Sequence, residues 1–384
     1  MSAKHFWRMT KGKIMEGVFA INKPSMISSA QVLRDCQRAF NPSELFAPWI
    51  AAETSLRNRE SHNQRKRRRD KNLQVKIGHG GTLDPLATGV LITGVGKGTK
   101  DLQQFLLCTK TYEAVVLFGA STDTYDRLGK VLSTAPYEHI TKESVEKALE
   151  QFRGKFMQLP PLFSALKMNG KPLYEYAREG KPIPREVQRR EVEVLNLELV
   201  EWMEGGTHSH KAPLERAGHA EINVARQLWK QEGALPASTD ADEDSKEGPE
   251  SKKRRLSDSQ DNLVTDRPSP KHRKLLSSEE PIMSGGLAAS DSASTPQAAG
   301  EEASAPVVKG PPAAKLRMTV TSGFYVRSLC HDLGAAVGSA ALMAELERTR
   351  QGEFELGKNV LEYSDLEQGE KVWGPKVEAM LDYW

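Results

Sequence analysis

The spacing of hydrophobic and polar positions along this chain changes several times, and each change marks an element. Gly17 to Ile21, GVFAI, is a short apolar run closed by Asn22-Lys23-Pro24, which predicts a strand. Val32, Leu33, Cys36 and Phe40 then recur at helical spacing behind a Ser28 and Gln31 pair that fits a capping box. Residues 41–75 carry no period and are expected to be irregular. Val90-Leu91-Ile92 predicts a buried strand, and Thr99 is placed to cap a short helix with Leu102, Phe105 and Leu106 on one face. KTYEAVVLF alternates with period two, putting Lys110, Tyr112, Ala114, Val116 and Phe118 on one face of a strand. Thr141 to Gly154 has a cap, a stripe of Val145, Ala148, Leu149 and Phe152, and a glycine stop, the pattern of a helix. EVEVLNLELVEW, from Glu191, predicts a strand. So does LRMTVT, from Leu316, which turns at Ser322-Gly323 into a helix through Leu329, Leu333, Ala336 and Val337.

One long stretch has no such pattern. No aromatic residue stands between Trp229 and Phe324, and from Gln231 to about Pro312 Ser, Pro, Ala, Asp and Glu dominate. Such a segment buries too little apolar surface to offset its chain entropy, so disorder is expected. The predicted organisation is a basic tail at 1–16, a folded domain begun by 17–235 with a basic insertion at 41–75, a low-complexity insert at 236–314, the domain's completion at 315–370 and a tail at 371–384. The net charge of +3 hides local clusters. Lys252-Lys253-Arg254-Arg255 and Lys271-His272-Arg273-Lys274 lie inside the low-complexity insert and read as an address for a nuclear import receptor. Arg65, Lys66, Arg67, Arg68 and Arg69 fit a solvated loop, an import address or a phosphate-binding run equally well. Cys36, Cys108 and Cys330 form no CxxC pair and imply a reducing compartment. No apolar run approaches the ~20 residues of a membrane span, so no membrane partner is expected. The amino terminus, with Lys4, Arg8, Lys11 and Lys13 and no acid before Glu16, fits a mitochondrial address as well.

The most unusual local chemistry is in KIGHGGTLDPLATGVLITGVGKGTK, residues 76–100. Its single acid, Asp84, sits between a glycine-rich lead-in and Pro85, just before the apolar run. A carboxylate on so rigid a turn fits a held reactive group, and it fits a capping residue of the turn equally well. Gly96-Lys97 lacks P-loop spacing and no GxGxxG follows a strand, so no nucleotide cofactor is implied. Asp123 and Asp126 have only short polar neighbours and make a poor metal pair, and no metal site is expected. His208, His210 and His219 have no ligand spacing and read as surface residues. His331 and Asp332 are adjacent on a helix and point different ways, so with Ser322 they make no hydrolase triad.

GHGGTLDPLATGVL resembles the catalytic signature of the TruB family of pseudouridine synthases. INKPSMISS resembles the family's first motif, with Met26 where a glycine is usual. KTYEAVV with STDTYDRLG resembles its Lys-x-Tyr strand and Thr-Asp-Thr-x-Asp-x-x-Gly loop. QLPPLFSALKMNGKPLYEYAREG resembles its paired-proline and Ser-Ala-x-Lys segment, and SGFYVR its Gly-x-Tyr-x-Arg turn. Leu346-Glu347-Arg348 resembles a Leu-Arg-Arg element, with Glu347 a departure. The likeness spans residues 17–230 and 315–366. It implies an α/β (α+β) fold: a mixed, largely antiparallel sheet flanked by helices, with a central RNA-binding cleft. It implies isomerisation of uridine to pseudouridine, at position 55 in the T arm of tRNA, without a cofactor. It places catalysis on Asp84, with Tyr112 stacking on a flipped uracil and Arg327 paired with the carboxylate. It implies substrate contacts at His79, Lys23, Asp126, Leu346 and Lys110. Phosphate contacts are expected at Arg65 to Arg69, Lys167 and Arg178. A monomer is expected, without the carboxy-terminal RNA-binding PUA domain that many relatives add. Two other classes fit less well: an RNA-folding helper without catalysis, and the guide-RNA-dependent branch, which works with partner proteins.

Overall fold

A computed structural model describes residues 12–67, 72–164, 166–179, 181, 183–232 and 310–384. Residues 236–309 of the insert expected at 236–314, both of its basic clusters, and Arg68 and Arg69 lie outside the described residues, whereas its end runs into the strand Ala313–Val320.

The fold is a mixed, mostly antiparallel sheet with helices against it. Its main path of strands runs Leu361–Glu362, Gly17–Lys23, Thr88–Val95, Ala341–Gln351, Lys110–Phe118, Ala313–Val320, Arg190–Met203, Gly154–Gln158. The parallel pairs are the one at the Leu361–Glu362 edge and the short one between Ala341–Gln351 and Thr88–Val95. The order interleaves the halves of the chain, because strands from beyond residue 310 lie on both sides of Lys110–Phe118. Period-two alternation then divides the side chains between the faces. Phe19, Ile21, Leu91, Ala114, Val116 and Phe118 enter the main core. Val18, Ala20, Val90 and Ile92 pack on the opposite side with Leu102 and Phe105. The main core is closed by the helices Ser29–Phe40, Lys142–Leu149, Val326–Ala336 and Glu370–Tyr383.

Four local expectations are corrected. Residues 41–75 contain the helices Ala47–Asn58 and His62–Arg67. The first buries only Trp49 and the second buries nothing, so neither needs an apolar stripe, and no period marks them. Helix-forming residues, a Glu53–Arg57 pair and reciprocal Ser61–Gln64 bonds suffice. The tail at 371–384 is a helix whose Trp373, Val377 and Leu381 belong to the main core, although Gly374-Pro375 reads as a break. Ser28 accepts from the Gln31 N–H at 3.1 Å, but the Gln31 amide turns to Asp35 at 2.8 Å, so only half of the capping box forms. Thr99 bonds back to the Gly96 carbonyl within a 3-10 turn and does not cap Leu102–Leu107.

Candidate active site

Asp84 sits on a loop between the Ile77–His79 and Thr88–Val95 strands, and the INKPSMISS segment clamps that loop. Lys23 at the end of its strand is fully buried and donates to the carbonyls of Pro24, Pro85 and Ala87. Ser25 Oγ donates to the Leu86 carbonyl at 2.8 Å, and the Met26 N–H donates to that of Pro85 at 2.7 Å. Ser29 Oγ accepts from the Leu83 N–H and donates to the Leu83 carbonyl, both at 3.0 Å. Met26 holds this geometry at φ +68°, a conformation that suits glycine, while its side chain stays 61% exposed. The backbone on both sides of Asp84 is therefore pinned. The carboxylate does not cap the turn.

The carboxylate meets Arg327 instead. Nε of Arg327 donates to Oδ2 of Asp84 at 2.8 Å and Nη2 to Oδ1 at 3.3 Å, a two-point contact. Nη1 donates to the Thr124 carbonyl at 2.8 Å and Nη2 also to that of Phe163 at 3.0 Å. The arginine side chain is 8% exposed and that of Asp84 33%, so the cation is enclosed and the anion faces outward. Arg327 lies in the first turn of Val326–Ala336, where the helix dipole favours an anion, and Asp84 supplies it. The Gln158 amide fixes that helix start: it accepts from the Tyr325 N–H at 2.8 Å and donates to the Tyr325 carbonyl at 3.0 Å. Ser328 Oγ adds a bond to the Leu159 carbonyl at 2.8 Å.

Buried cations outnumber anions around the loop. Arg348 is enclosed in the sheet and donates to the carbonyls of Val90 at 2.8 Å and Gly81 at 3.2 Å. Burial lowers Lys23 to about 8; Asp84 pulls the other way and Arg348 adds to the lowering. Burial, then Arg348, also lowers His79. Asp126 is pushed upward, chiefly by burial, against the pull of Arg327.

The remaining expected residues fall into distinct places. Asp126 reaches the arginine through Thr124, whose hydroxyl donates to its carboxylate at 2.7 Å while the Thr124 carbonyl takes Arg327. Tyr112 is half-buried against the main core, between Met318 and Arg348 on the neighbouring strands. Leu346 lies in that core and lines a cleft of about 290 Å³ with Ser25, Leu86, Glu113 and Glu347. Asp84 does not line the cleft, but Leu86, two residues on, does. Lys110 is buried, and its ammonium bonds the carbonyls of Leu106 and Cys108, closing the end of the Leu102–Leu107 helix. Arg65, Lys66 and Arg67 lie exposed on His62–Arg67. Lys167 is exposed, and Arg178 stacks on the Tyr174 ring at 5.1 Å. Gln158, Thr124, the Phe163 carbonyl and Arg348 were not foreseen as parts of this network. A backbone acceptor leaves no mark in a sequence, and the enclosed Arg348 reads as a surface residue in any hydropathy pattern.

Comparison with known proteins places this arrangement. Residues 67–214 match the family model described as TruB family pseudouridylate synthase (N terminal domain), and residues 327–383 match that of the tRNA pseudouridylate synthase B C-terminal domain. The tRNA pseudouridine synthase 4 of Schizosaccharomyces pombe is 41% identical over 360 residues, 91% of this chain and 82% of that protein. The chain belongs to the TruB family. The tRNA pseudouridine synthase 4 of Saccharomyces cerevisiae, another relative, is 35% identical over 379 residues, 96% of this TruB-family chain and 85% of its own. Among solved structures, a chain in a crystal structure of a Cbf5-Nop10-Gar1 complex is 17% identical with a TM-score of 0.44, covering 97% of this chain and 60% of that one.

Proposed function

We propose that this chain isomerises uridine to pseudouridine in tRNA, at position 55 of the T arm, with Asp84 acting on the flipped-out nucleotide. The observation that carries the reading is the Asp84 carboxylate: held at two points by an enclosed arginine, on a loop clamped by Lys23, Ser25 and Ser29, yet open on one side. The reaction breaks the N1–C1′ glycosidic bond, turns the base and joins C5 to C1′. C5 loses a proton and N1 gains one, with no change of oxidation state. A fixed carboxylate beside the sugar and base suits both halves of that exchange, and the Arg327 fork holds it in place. The target base leaves its stack to reach it. In this reading Tyr112 stacks on the uracil and Leu346 lines its pocket. The exposed Arg65, Lys66 and Arg67, with Lys167, take RNA phosphates. The clusters at Lys252 to Arg255 and Lys271 to Lys274 support a nuclear location, and a single copy of the chain suffices for the site.

The test is Asp84→Asn in the full chain, incubated with an unmodified tRNA transcript and mapped for pseudouridine. Wild type is expected to modify position 55. The variant is expected to form no pseudouridine while RNA affinity stays within about threefold, because phosphate contacts spread over a basic surface carry it. Pseudouridine formed at the wild-type rate by the variant rejects the reading. No product from wild type, with tight RNA binding, favours an RNA-folding helper.

A further inference from the structure

The loop beside Arg327 contains a backbone outlier. Tyr125 adopts φ +62°, a left-handed conformation that a large residue enters only at a steric cost. Such a conformation persists only where its surroundings over-determine it. Other residues of the loop bond it to itself. Thr122 Oγ1 donates to the Asp126 carbonyl and Thr124 Oγ1 to its carboxylate, each at 2.7 Å, and the Lys130 N–H donates to the Asp123 carboxylate at 2.8 Å. A glycine would make the same turn without strain.

The ring makes contacts that a glycine cannot. Tyr125 is 2% exposed, and its ring lies flat on His331 with centroids 4.0 Å apart and planes 3° from parallel. His331 follows Arg327 by four residues in Val326–Ala336, so both stand on one face of the helix, one turn apart. On the loop side Thr124, just before Tyr125, gives its carbonyl to Arg327 Nη1 at 2.8 Å. The Tyr125 carbonyl accepts from the Met343 N–H of the central strand at 3.0 Å. One strained residue thus joins loop, arginine helix and sheet.

We propose that Tyr125 is a positioning residue. Stacked on His331, its ring sets the spacing and rotation of the loop against the helix. That keeps the Thr124 carbonyl on Arg327 and, through Arg327, aims the Asp84 carboxylate. The proposal rests on the reading of Asp84 as the reacting group.

The test is single-turnover pseudouridine formation by the full chain on a T-arm stem-loop, with rate constant and amplitude separated. Tyr125→Phe keeps the ring and should stay within about threefold of wild type. Tyr125→Gly and His331→Ala should each lower the rate constant by about tenfold or more, with RNA affinity within about twofold. The double variant should be no slower than the slower single one, because both remove the same stack. A wild-type rate constant in Tyr125→Gly or His331→Ala, with only amplitude or melting temperature reduced, overturns the proposal: the ring then serves stability alone. A full product of the two effects overturns it too. If Tyr125→Gly does not fold, His331→Ala and Tyr125→Phe still decide. Asp84→Asn, run alongside, separates the two readings: if it is active the reading of Asp84 fails, and if it is inactive while the Tyr125 and His331 variants react normally, only the stack proposal fails.

Discussion

Replacing Arg327 by lysine keeps the charge and removes the fork. The guanidinium serves four acceptors: both Asp84 oxygens and the carbonyls of Thr124 and Phe163. A single ammonium on a differently shaped stem cannot reach acceptors spread around a plane. Two carbonyls then lose a partner in an enclosed setting, at about 1 kcal/mol each, the low end for buried acceptors because water enters beside the open carboxylate. The two-point contact to Asp84 weakens by about 2 kcal/mol, again a low figure because the Asp84 side chain is 33% exposed. The carbonyl share should fall on the fold and lower the melting temperature by about 4 °C or more. The carboxylate share should fall on the reaction, since Asp84 must be aimed as the glycosidic bond breaks, and slow single turnover by about thirtyfold. RNA affinity, measured by filter binding, should hold within about twofold, because phosphate contacts lie elsewhere. A lowered melting temperature with a single-turnover rate within about threefold of wild type would refute the reasoning: the fork would then be a structural tie alone.

Two further outcomes test the clamp on the Asp84 loop. Met26 stands at φ +68° with its side chain largely in water, so Met26→Gly should be neutral or stabilising by about 0.5 kcal/mol, relief of strain outweighing glycine's greater chain entropy. Met26→Val should cost about 1 kcal/mol or more in urea titrations, and a valine variant as stable as wild type would show that the turn is not strained. Lys23 titrates near 8 when folded against 10.5 for an ordinary lysine, so the folded state binds fewer protons between those values and this group's contribution to stability rises with pH. Below 8 both states are protonated and the contribution is lost. Between pH 7 and 9.5 wild type should therefore gain about 2 kcal/mol relative to Lys23→Met in paired denaturant titrations, and parallel curves for the two proteins would contradict the enclosed ammonium.

Periodicity alone was enough to place the strands Gly17–Lys23, Thr88–Val95, Lys110–Phe118, Arg190–Met203 and Ala313–Val320 and the helices Ser29–Phe40, Lys142–Leu149 and Val326–Ala336, but not the strand Ala341–Gln351 or the core helix Glu370–Tyr383. Alternation in KTYEAVVLF assigns Ala114, Val116 and Phe118 to the main core, and the stripe through Val145, Leu149 and Phe152 does the same for its helix, because burying one face leaves a period in the sequence. Where burial is nearly absent, as along Ala47–Asn58 and His62–Arg67, no period forms, and local propensity and capping decided the helices. Asp84 stands out in the sequence because glycines and a proline frame it, whereas no spacing points to its partner, and Arg327 was reached only through the resemblance to the TruB family. Arg327 is separated from Asp84 by 243 positions, and the two meet because strands from the end of the chain insert beside Lys110–Phe118. The carbonyls that hold the arginine, the Gln158 amide at the start of its helix and the flat contact of Tyr125 on His331 depend on backbone groups and ring planes brought together by that strand order. The interleaved sheet therefore decided the geometry of the site, since directional bonds between residues far apart in sequence exist only once strand order and register have set the distances between them.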